Sequence, residues 1–248
     1  MEISILLAEQ ILAMFLTMAV GFGVVRAGLF KTEDSRIISN MVVYICNPCV
    51  VVHSFQIELT DDKIKGLMIA IGLSVVVHMV LIIGSEILSF IFHFNSIEKA
   101  SIIYTNAGYL VIPLVGPVLG EEWVFYTTAF ILVQTVLMWT HGVKLIGQEK
   151  ELNIRKILCN PNVIAMIIGI ALFALEIRLP TVVDSCVSGF GDMISPASMM
   201  VIGMVIGDVD LKWVFRQKRP YLICLLRLIV FPLIAVVAFA GLERSGIH

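Results

Sequence analysis

The sequence predicts an all-α, polytopic membrane protein, on the evidence of its composition, its charge content and its apolar runs. Of its 248 residues, 59% are hydrophobic and 15% are charged, and the mean hydropathy is +0.99. Soluble domains are closer to half apolar and a quarter charged. Apolar runs of about 20 residues, long enough to cross a bilayer, recur along the chain. We therefore expect a multi-pass chain with little mass outside the membrane.

Eight transmembrane helices are predicted. They cover residues 4–25, 36–56, 66–92, 99–119, 123–146, 160–175, 182–206 and 221–242. The first is expected to be a retained helix rather than a cleaved signal, because no basic segment precedes its apolar run. The polar stretch 147–156 is the only long linker, so it divides the chain into residues 1–146 and 157–248.

The fourth span, residues 99–119, is not expected to form a regular helix. Pro113 and Pro117 each remove a backbone donor, Gly108 loosens the chain, and Asn106 adds an amide at membrane depth. Lipid cannot satisfy the freed backbone groups, so this segment should face protein or a cavity. In secondary transporters such broken helices bind substrate, and the amino end of a half-helix attracts anions. A proline-kinked packing helix without a site is the alternative.

A displacement of 148 residues relates the two parts of the chain. Gly21 and Pro48 recur as Gly169 and Pro196, and the third span overlays the eighth. Both prolines are expected to kink their helices. A repeat of five helices crosses the membrane an odd number of times, so its second copy is inverted. The counterparts of spans four and five would lie beyond residue 248, so the second copy, residues 157–248, is predicted to be incomplete.

The distribution of Lys and Arg predicts the orientation of the spans. Twelve of these residues fall in connections one, three, five and seven, and four fall on the opposite side. Cytoplasmic loops are enriched in Lys and Arg, so the first set is placed in the cytoplasm. Residues 147–156 would then be a cytoplasmic linker, and both termini of this cell-membrane protein would be extracytoplasmic.

Four segments carry a resemblance to a known family. They are GFGVVRAGLF at 21–30, NAGYLVIPLVGPVLG at 106–120, NPNVIAMIIGIALF at 160–173 and SPASMMVIGMVIGD at 195–208. In this order and spacing the chain resembles the auxin efflux carrier family of membrane transporters, with an inverted-repeat fold similar to that of bile-acid symporters. Asn106, Gly108 and Pro113 match the first crossover of that pattern, whereas the second crossover is expected beyond residue 248, together with the helix after it.

The resemblance implies several further properties. Helices one, two, six and seven would form a scaffold and a homodimer interface, while helices three to five and eight onward would move. Two broken helices would cross at mid-membrane. The substrate would be an organic anion, and neither a cofactor nor a nucleic acid is implied.

The predicted substrate site is centred on the broken span. The residues assigned to it are Asn106, Gly108, Tyr109, Ile112, Pro113, Gln134 and Arg227. Charge within the membrane is costly, so Arg227 either attracts the anion or pairs with Glu86 at a similar depth. Gln134 either lines the cavity or makes an interhelical hydrogen bond.

Other chemistries are disfavoured. No metal site is predicted, because His53, His78 and His141 lie on three helices at different depths. His78 could carry a proton, although a packing histidine is the favoured interpretation. Cys46 and Cys49 form a C-x-x-C pattern, but redox exchange needs an accessible thiol and this pair is deep in an apolar span.

The segment Gly189-Phe190-Gly191-Asp192 resembles the G-x-G-D signature of intramembrane aspartyl proteases. Such enzymes need a second carboxylate beside the first. The sixth span contains no Asp, so no enzyme is predicted. The favoured function is a secondary transporter that moves a small organic anion, a carboxylate, by alternating access. The alternatives are a truncated, non-transporting scaffold subunit and the aspartyl protease.

Overall fold

The structure is a computed structural model that describes residues 2–105, 111–147, 155 and 158–244. Throughout these residues the regular structure is helical. The helices are α1 (Glu2–Arg26), α2 (Thr32–Ser54), α3 (Asp61–Phe92), α4 (Ser96–Ile103), α5 (Ile112–Leu119), α6 (Glu122–Ile146), α7 (Pro161–Ala174), α8 (Thr181–Gly207), α9 (Leu211–Arg216) and α10 (218–244).

Six of the described helices are long and apolar enough to cross a membrane, namely α1, α2, α3, α6, α8 and α10. This confirms the all-α, polytopic fold class. The other two predicted spans take different forms. The sixth is α7, whose 14 residues reach about 21 Å, less than the ~30 Å of a bilayer core. The fourth is divided into α4 and α5, so the count of eight crossings stays a prediction.

Local sequence explains where several helices begin. The side chain of Thr60 accepts a hydrogen bond from the Lys63 amide at the start of α3. Asn95 and Glu98 satisfy each other's backbone amides at the start of α4. Asn160 caps α7 immediately before a proline. Each cap satisfies amides that have no partner within the first helical turn.

Helix interruptions lie beside three prolines. A π-helical turn spans Val42–Cys46, just before Pro48 in α2. A second π-turn, Leu226–Val230, precedes Pro232 in α10. In α8 the helix is interrupted at Met193, three residues before Pro196. Proline provides no amide for the carbonyl four residues earlier, so the helical hydrogen-bond pattern changes at these positions.

The helices pack in two groups. In the first, α1 packs along the second half of α8, and α2 packs against both α7 and α8. In the second, α3 packs against α6 and α4, and α10 contacts α4. Contacts of α5 with α1, and of α6 with α2 and α7, join the groups. The first group consists of the helices that the family resemblance assigns to the scaffold.

The contact between α1 and α8 depends on two glycines. A Cβ atom on Gly203 would overlap the carbonyl oxygen of Met18, and one on Gly21 would overlap the carbonyl oxygen of Met200. Backbone therefore meets backbone in both directions across this interface. Small residues permit such close approach in membranes, where packing rather than water exclusion holds helices together.

A cluster of three aromatic rings joins the two groups. Phe55, which follows α2, makes edge contacts with Phe125 of α6 at 5.1 Å and with Phe173 of α7 at 6.1 Å between ring centroids. Phe125 and Phe173 are themselves 5.3 Å apart. All three side chains are buried. They fix the end of α2 against α6 and α7.

Candidate functional site

The predicted helix break is present between α4 and α5. The helix α4 ends at Ile103, and Tyr104 is extended, with φ −95° and ψ 135°. The helix α5 covers Ile112–Leu119, and Val111 before it also has helical dihedral angles. Gly120 follows the helix, and its φ of +101° allows the turn into α6. Residues 106–110 lie outside the described residues. The described flanks alone show that the backbone leaves helical geometry here.

Gln134 of α6 satisfies the backbone on one side of the break. Its side-chain nitrogen donates to the Thr105 carbonyl at 2.7 Å, and its side-chain oxygen accepts from the Thr105 amide at 3.0 Å. The side chain is 8% exposed. This is an interhelical hydrogen bond of the kind expected for an amide within a membrane, which was one of the two interpretations of Gln134.

Arg227 of α10 satisfies the end of α4. Its Nη1 donates to the carbonyls of Ile102 at 2.8 Å and Tyr104 at 2.7 Å, and also to that of Ser101. The last carbonyls of a helix have no partner within it and carry partial negative charge, so a guanidinium is well matched to them. We call Tyr104, Thr105, Gln134 and Arg227 the capping cluster.

The alternative pairing of Arg227 with Glu86 is wrong. Glu86 instead accepts a hydrogen bond from Lys99 Nζ at 2.7 Å. The short connection between α3 and α4 brings Lys99 back alongside α3. Arg227 is already engaged with the α4 carbonyls, whereas the Glu86 side chain is 47% exposed.

Tyr104 and His78 complete the surroundings of the break. The Tyr104 hydroxyl donates to the Leu137 carbonyl at 3.0 Å and lies 2.8 Å from His141 Nδ1. His78 is fully buried against Phe130, and its Nδ1 lies 2.7 Å from the Ser74 carbonyl. Because a carbonyl only accepts, Nδ1 carries the proton. This hydrogen bond within α3 holds the ring in place, as expected for a packing histidine.

A cavity of about 400 Å³ lies on the other side of α5, between the two helix groups. Its wall combines apolar side chains with polar ones from three helices, α1, α2 and α8. The polar residues lining it are Gln10, His53, Ser54, Ser188, Asp192 and Ser195, and the apolar side chains include Val50, Ile112, Val124 and Ile194. A cavity of this size with a few converging polar groups is typical of a small-molecule site.

One side chain of the cavity wall is paired across helices. His53 Nδ1 of α2 lies 2.9 Å from Asp184 Oδ1 of α8. The two side chains are 33% and 38% exposed. Nδ1 therefore donates to the carboxylate, which fixes the tautomer and orientation of the imidazole.

The family model described as membrane transport protein matches residues 6–154 and 149–247. The chain belongs to this membrane transport protein family. The match confirms the resemblance to auxin efflux carriers that four sequence segments indicated. No curated protein matches the chain.

The residues predicted for the site of this transport protein fall into different places. Ile112 lines the cavity, whereas Gln134 and Arg227 belong to the capping cluster. The backbone of Pro113 lies in the first turn of α5. Three further predicted residues, Asn106, Gly108 and Tyr109, lie outside the described residues.

Several cavity residues of the transport protein were missed by sequence reasoning, although a signal was available. Ser188, Asp192 and Ser195 are separated by four and three residues, the spacing that places side chains on one face of a helix. A polar face within an apolar span is the membrane counterpart of an amphipathic pattern. Gly191, in the same face, also lines the cavity.

Other chemistries receive no geometric support from the described residues. They contain no group of three or more His, Cys, Asp or Glu side chains that could hold a metal. Cys46 and Cys49 are free thiols. Asp192 is the only carboxylate among the described residues that line its cavity, and Asp184 lies two helical turns, about 12 Å, away along α8. The second carboxylate of an aspartyl protease is not found there.

Proposed function

We propose that the chain is a secondary transporter that carries a small organic anion, a carboxylate, by alternating access. One observation supports this most directly. A cavity of about 400 Å³ separates α1, α2 and α8 from the broken-helix group, and its wall includes the first residue of α5. Transporters bind substrate at such discontinuous helices, between domains that move relative to each other.

The cavity offers suitable groups to a carboxylate. Three residues of α5, namely Ile112, Gly116 and Pro117, line the cavity, so the broken span contributes directly to its wall. The hydroxyls of Ser188 and Ser195 can donate to carboxylate oxygens, whereas that of Ser54 already donates to the Val51 carbonyl at 2.8 Å. We place Asn106, Gly108, Tyr109 and Pro113 at the same site, as the sequence predicts.

Gln134 and Arg227 act on this site through the backbone in our proposal. Both bind main-chain groups on the α4 side of the break, so they position the residues that lead into α5. The scaffold helices α1, α2, α7 and α8 would remain fixed, form the homodimer and keep both termini outside the cell. Movement of the other group would expose the cavity to each side in turn.

The test is uptake into proteoliposomes. Purified protein is reconstituted, and uptake of labelled succinate, malate, citrate and lactate is compared with that of protein-free vesicles. We expect Asn106→Ala and the double substitution Ser188→Ala/Ser195→Ala to lower uptake about tenfold or more, since one lost interaction of roughly 1.4 kcal/mol has that effect. Asn40→Ala, at an exposed position of α2, is the matched control.

The outcomes separate the parts of the proposal. Normal uptake by Asn106→Ala would remove Asn106 from the site. Normal uptake by the serine variant would remove the cavity. Absence of uptake of all four acids by the wild type would contradict carboxylate transport.

A further inference from the structure

The charge of the cavity conflicts with binding of an anion alone. Among the described residues that line it, the ionisable ones are His53 and Asp192, and neither Lys nor Arg is present. A carboxylate entering the cavity would therefore meet the Asp192 carboxylate. Like charges brought together away from bulk water repel each other strongly, so binding is favoured when a positive charge enters with the substrate.

The elements around the cavity do not supply this charge. Asp184 and Asp192 lie on α8, Glu9 adjoins Gln10 on α1, and Glu122 lies two residues before Val124 on α6. The helices α5 and α7 carry no ionisable residue at all. Their neutral sequences leave the acidic residues uncompensated.

Two arginines of neighbouring segments lie outside this cavity. Arg227 binds the carbonyls at the end of α4 and does not line this cavity. Arg178, in the connection before α8, lines a different cavity together with Glu58 and Glu176. Neither guanidinium is in place to neutralise Asp192.

His53 is positioned to receive a proton. Its Nδ1 lies 2.9 Å from Asp184 Oδ1, so Nδ1 already carries hydrogen and Nε2 is the nitrogen that can accept another. The imidazolium formed in this way would donate to Asp184 while its ring lines the cavity. Histidine is also the side chain that ordinarily changes charge between pH 5 and 8.

We propose that the cavity binds its organic anion together with a proton, which His53 takes up at Nε2 while Asp184 holds the ring. With a monoanion such as lactate, one negative and one positive charge then enter from the same aqueous side, and both leave on the other side. For such a substrate, the net charge of the loaded cavity equals that of the empty one. This inference rests on the transporter function proposed above and adds its coupling ion.

Binding provides the first test. Thermal stabilisation of the detergent-purified protein by succinate, malate, citrate and lactate is measured at about pH 5.5 and about pH 7.5, on either side of the ordinary histidine pKa. We expect binding at least about tenfold tighter at the lower pH for the wild type, as uptake of one proton requires. His53→Gln should abolish this difference. His93→Asn, at the exposed end of α3, should retain it.

Two further variants distinguish the proposed role of His53 from misfolding of the His53→Gln variant. Asp184→Asn keeps an acceptor for Nδ1 but removes the charge behind the ring, so we expect weaker binding at the lower pH. Asp192→Asn removes the charge that repels the anion, so we expect tighter binding at the higher pH. Weaker binding of Asp192→Asn at both pH values, or an unchanged pH difference in His53→Gln, would overturn the proposal.

Transport provides the second test. Proteoliposomes that contain a pH-sensitive dye report whether the lumen acidifies as the labelled acid enters, with and without sodium outside. We expect the lumen to acidify during uptake by the wild type and not to acidify with the His53→Gln variant. Uptake without acidification, or uptake that requires sodium, would overturn proton coupling and leave the transporter function standing. Absence of any uptake would overturn both.

Discussion

The capping cluster and the contact between α1 and α8 both hold an interrupted helix in place, the first with long polar side chains and the second with residues that have no side chain. At the capping cluster, the long side chains of Gln134 and Arg227 bond to backbone groups across a gap. Where α1 meets α8, Gly21 of α1 and Gly203 of α8 have no side chain, so that backbone contacts backbone. The first arrangement fills the space beside the α4 break. The second leaves the polar face of α8 bordering a cavity.

This difference shows which interruption has room for a ligand. Polar residues beside a broken helix are not necessarily binding residues, because freed backbone groups must themselves be satisfied. In the capping cluster the amide of Gln134 both donates to and accepts from the backbone of Thr105. The cavity lies instead where short serine side chains and glycine leave space. Four substitutions test this contrast, and they are taken from the largest expected effect to the smallest.

Substituting Arg227 should break the capping cluster most severely. Arg227→Met leaves three carbonyls at the end of α4 without their donor. At roughly 1 kcal/mol or more for each unsatisfied group, we expect a loss of about 3 kcal/mol. The measurement is thermal unfolding in detergent. Arg216→Met, at an exposed position of α9, is the control. Equal stability of the two variants would show that the guanidinium does not hold the break.

Gly203 provides the corresponding test for the α1–α8 contact. Gly203→Ala places a methyl group against the Met18 carbonyl, and we expect a loss of about 2 kcal/mol from overpacking. Gly189→Ala is a matched control on the same helix, because its Cβ would meet nothing within 4 Å. If both alanine variants unfold at the same temperature as the wild type, the two helices are not held by close backbone contact.

Substituting Gln134 tests the second interaction of the capping cluster, for which we expect a smaller loss of stability than for Arg227. Gln134→Leu removes two hydrogen bonds to the Thr105 backbone, and interhelical hydrogen bonds in membranes contribute about 1 kcal/mol. Thr105→Val should have little effect, because the bonded groups of Thr105 belong to its main chain. A larger loss in Thr105→Val than in Gln134→Leu would contradict this assignment.

The fold class and the helix positions could be predicted well from the sequence because each membrane helix corresponds to a long run of apolar residues. The predicted first span, 4–25, lies within Glu2–Arg26, and the predicted fifth span, 123–146, nearly coincides with Glu122–Ile146. The helix break was also predicted, since proline and glycine act on their own backbone. These features depend on local sequence, which a single chain reveals directly.

The site was harder to predict because it depends on which helices meet. Gln134 and Arg227 were assigned to the substrate by type and depth, but the structure engages both with backbone. The partner of Glu86 proved to be Lys99, which a fold-back between α3 and α4 brings close. His53 and Asp192 come from different helices, and periodicity cannot show that these helices enclose one cavity.

The smallest expected effect concerns an ion pair at the start of α4, at the opposite end of this helix from the capping cluster. Arg219 Nη1 donates to both oxygens of Glu98, at 2.9 and 2.7 Å, and ties α10 to the first turn of α4. Burial raises the pKa of the Glu98 carboxyl, but hydrogen bonds from Arg219 and from the Asn95 amide outweigh burial and leave the pKa below its ordinary value. Arg219 itself is 54% exposed, so we expect at most about 1 kcal/mol from the pair.

The pH dependence gives this last prediction its sign. A carboxyl whose pKa is lowered on folding stabilises the protein above its unfolded pKa of about 4.3, and this contribution is lost as the pH falls through the folded value. Glu98→Gln should therefore be less stable than the wild type at pH 7, and the difference should shrink below about pH 4. Paired thermal unfolding curves across this range measure it. If the stability difference between the two proteins stays constant at acidic pH, the charge of Glu98 does not contribute to its interaction with Arg219. The ends of α4 would then differ from the α1–α8 contact in the length of the side chains involved and not in electrostatic stabilisation.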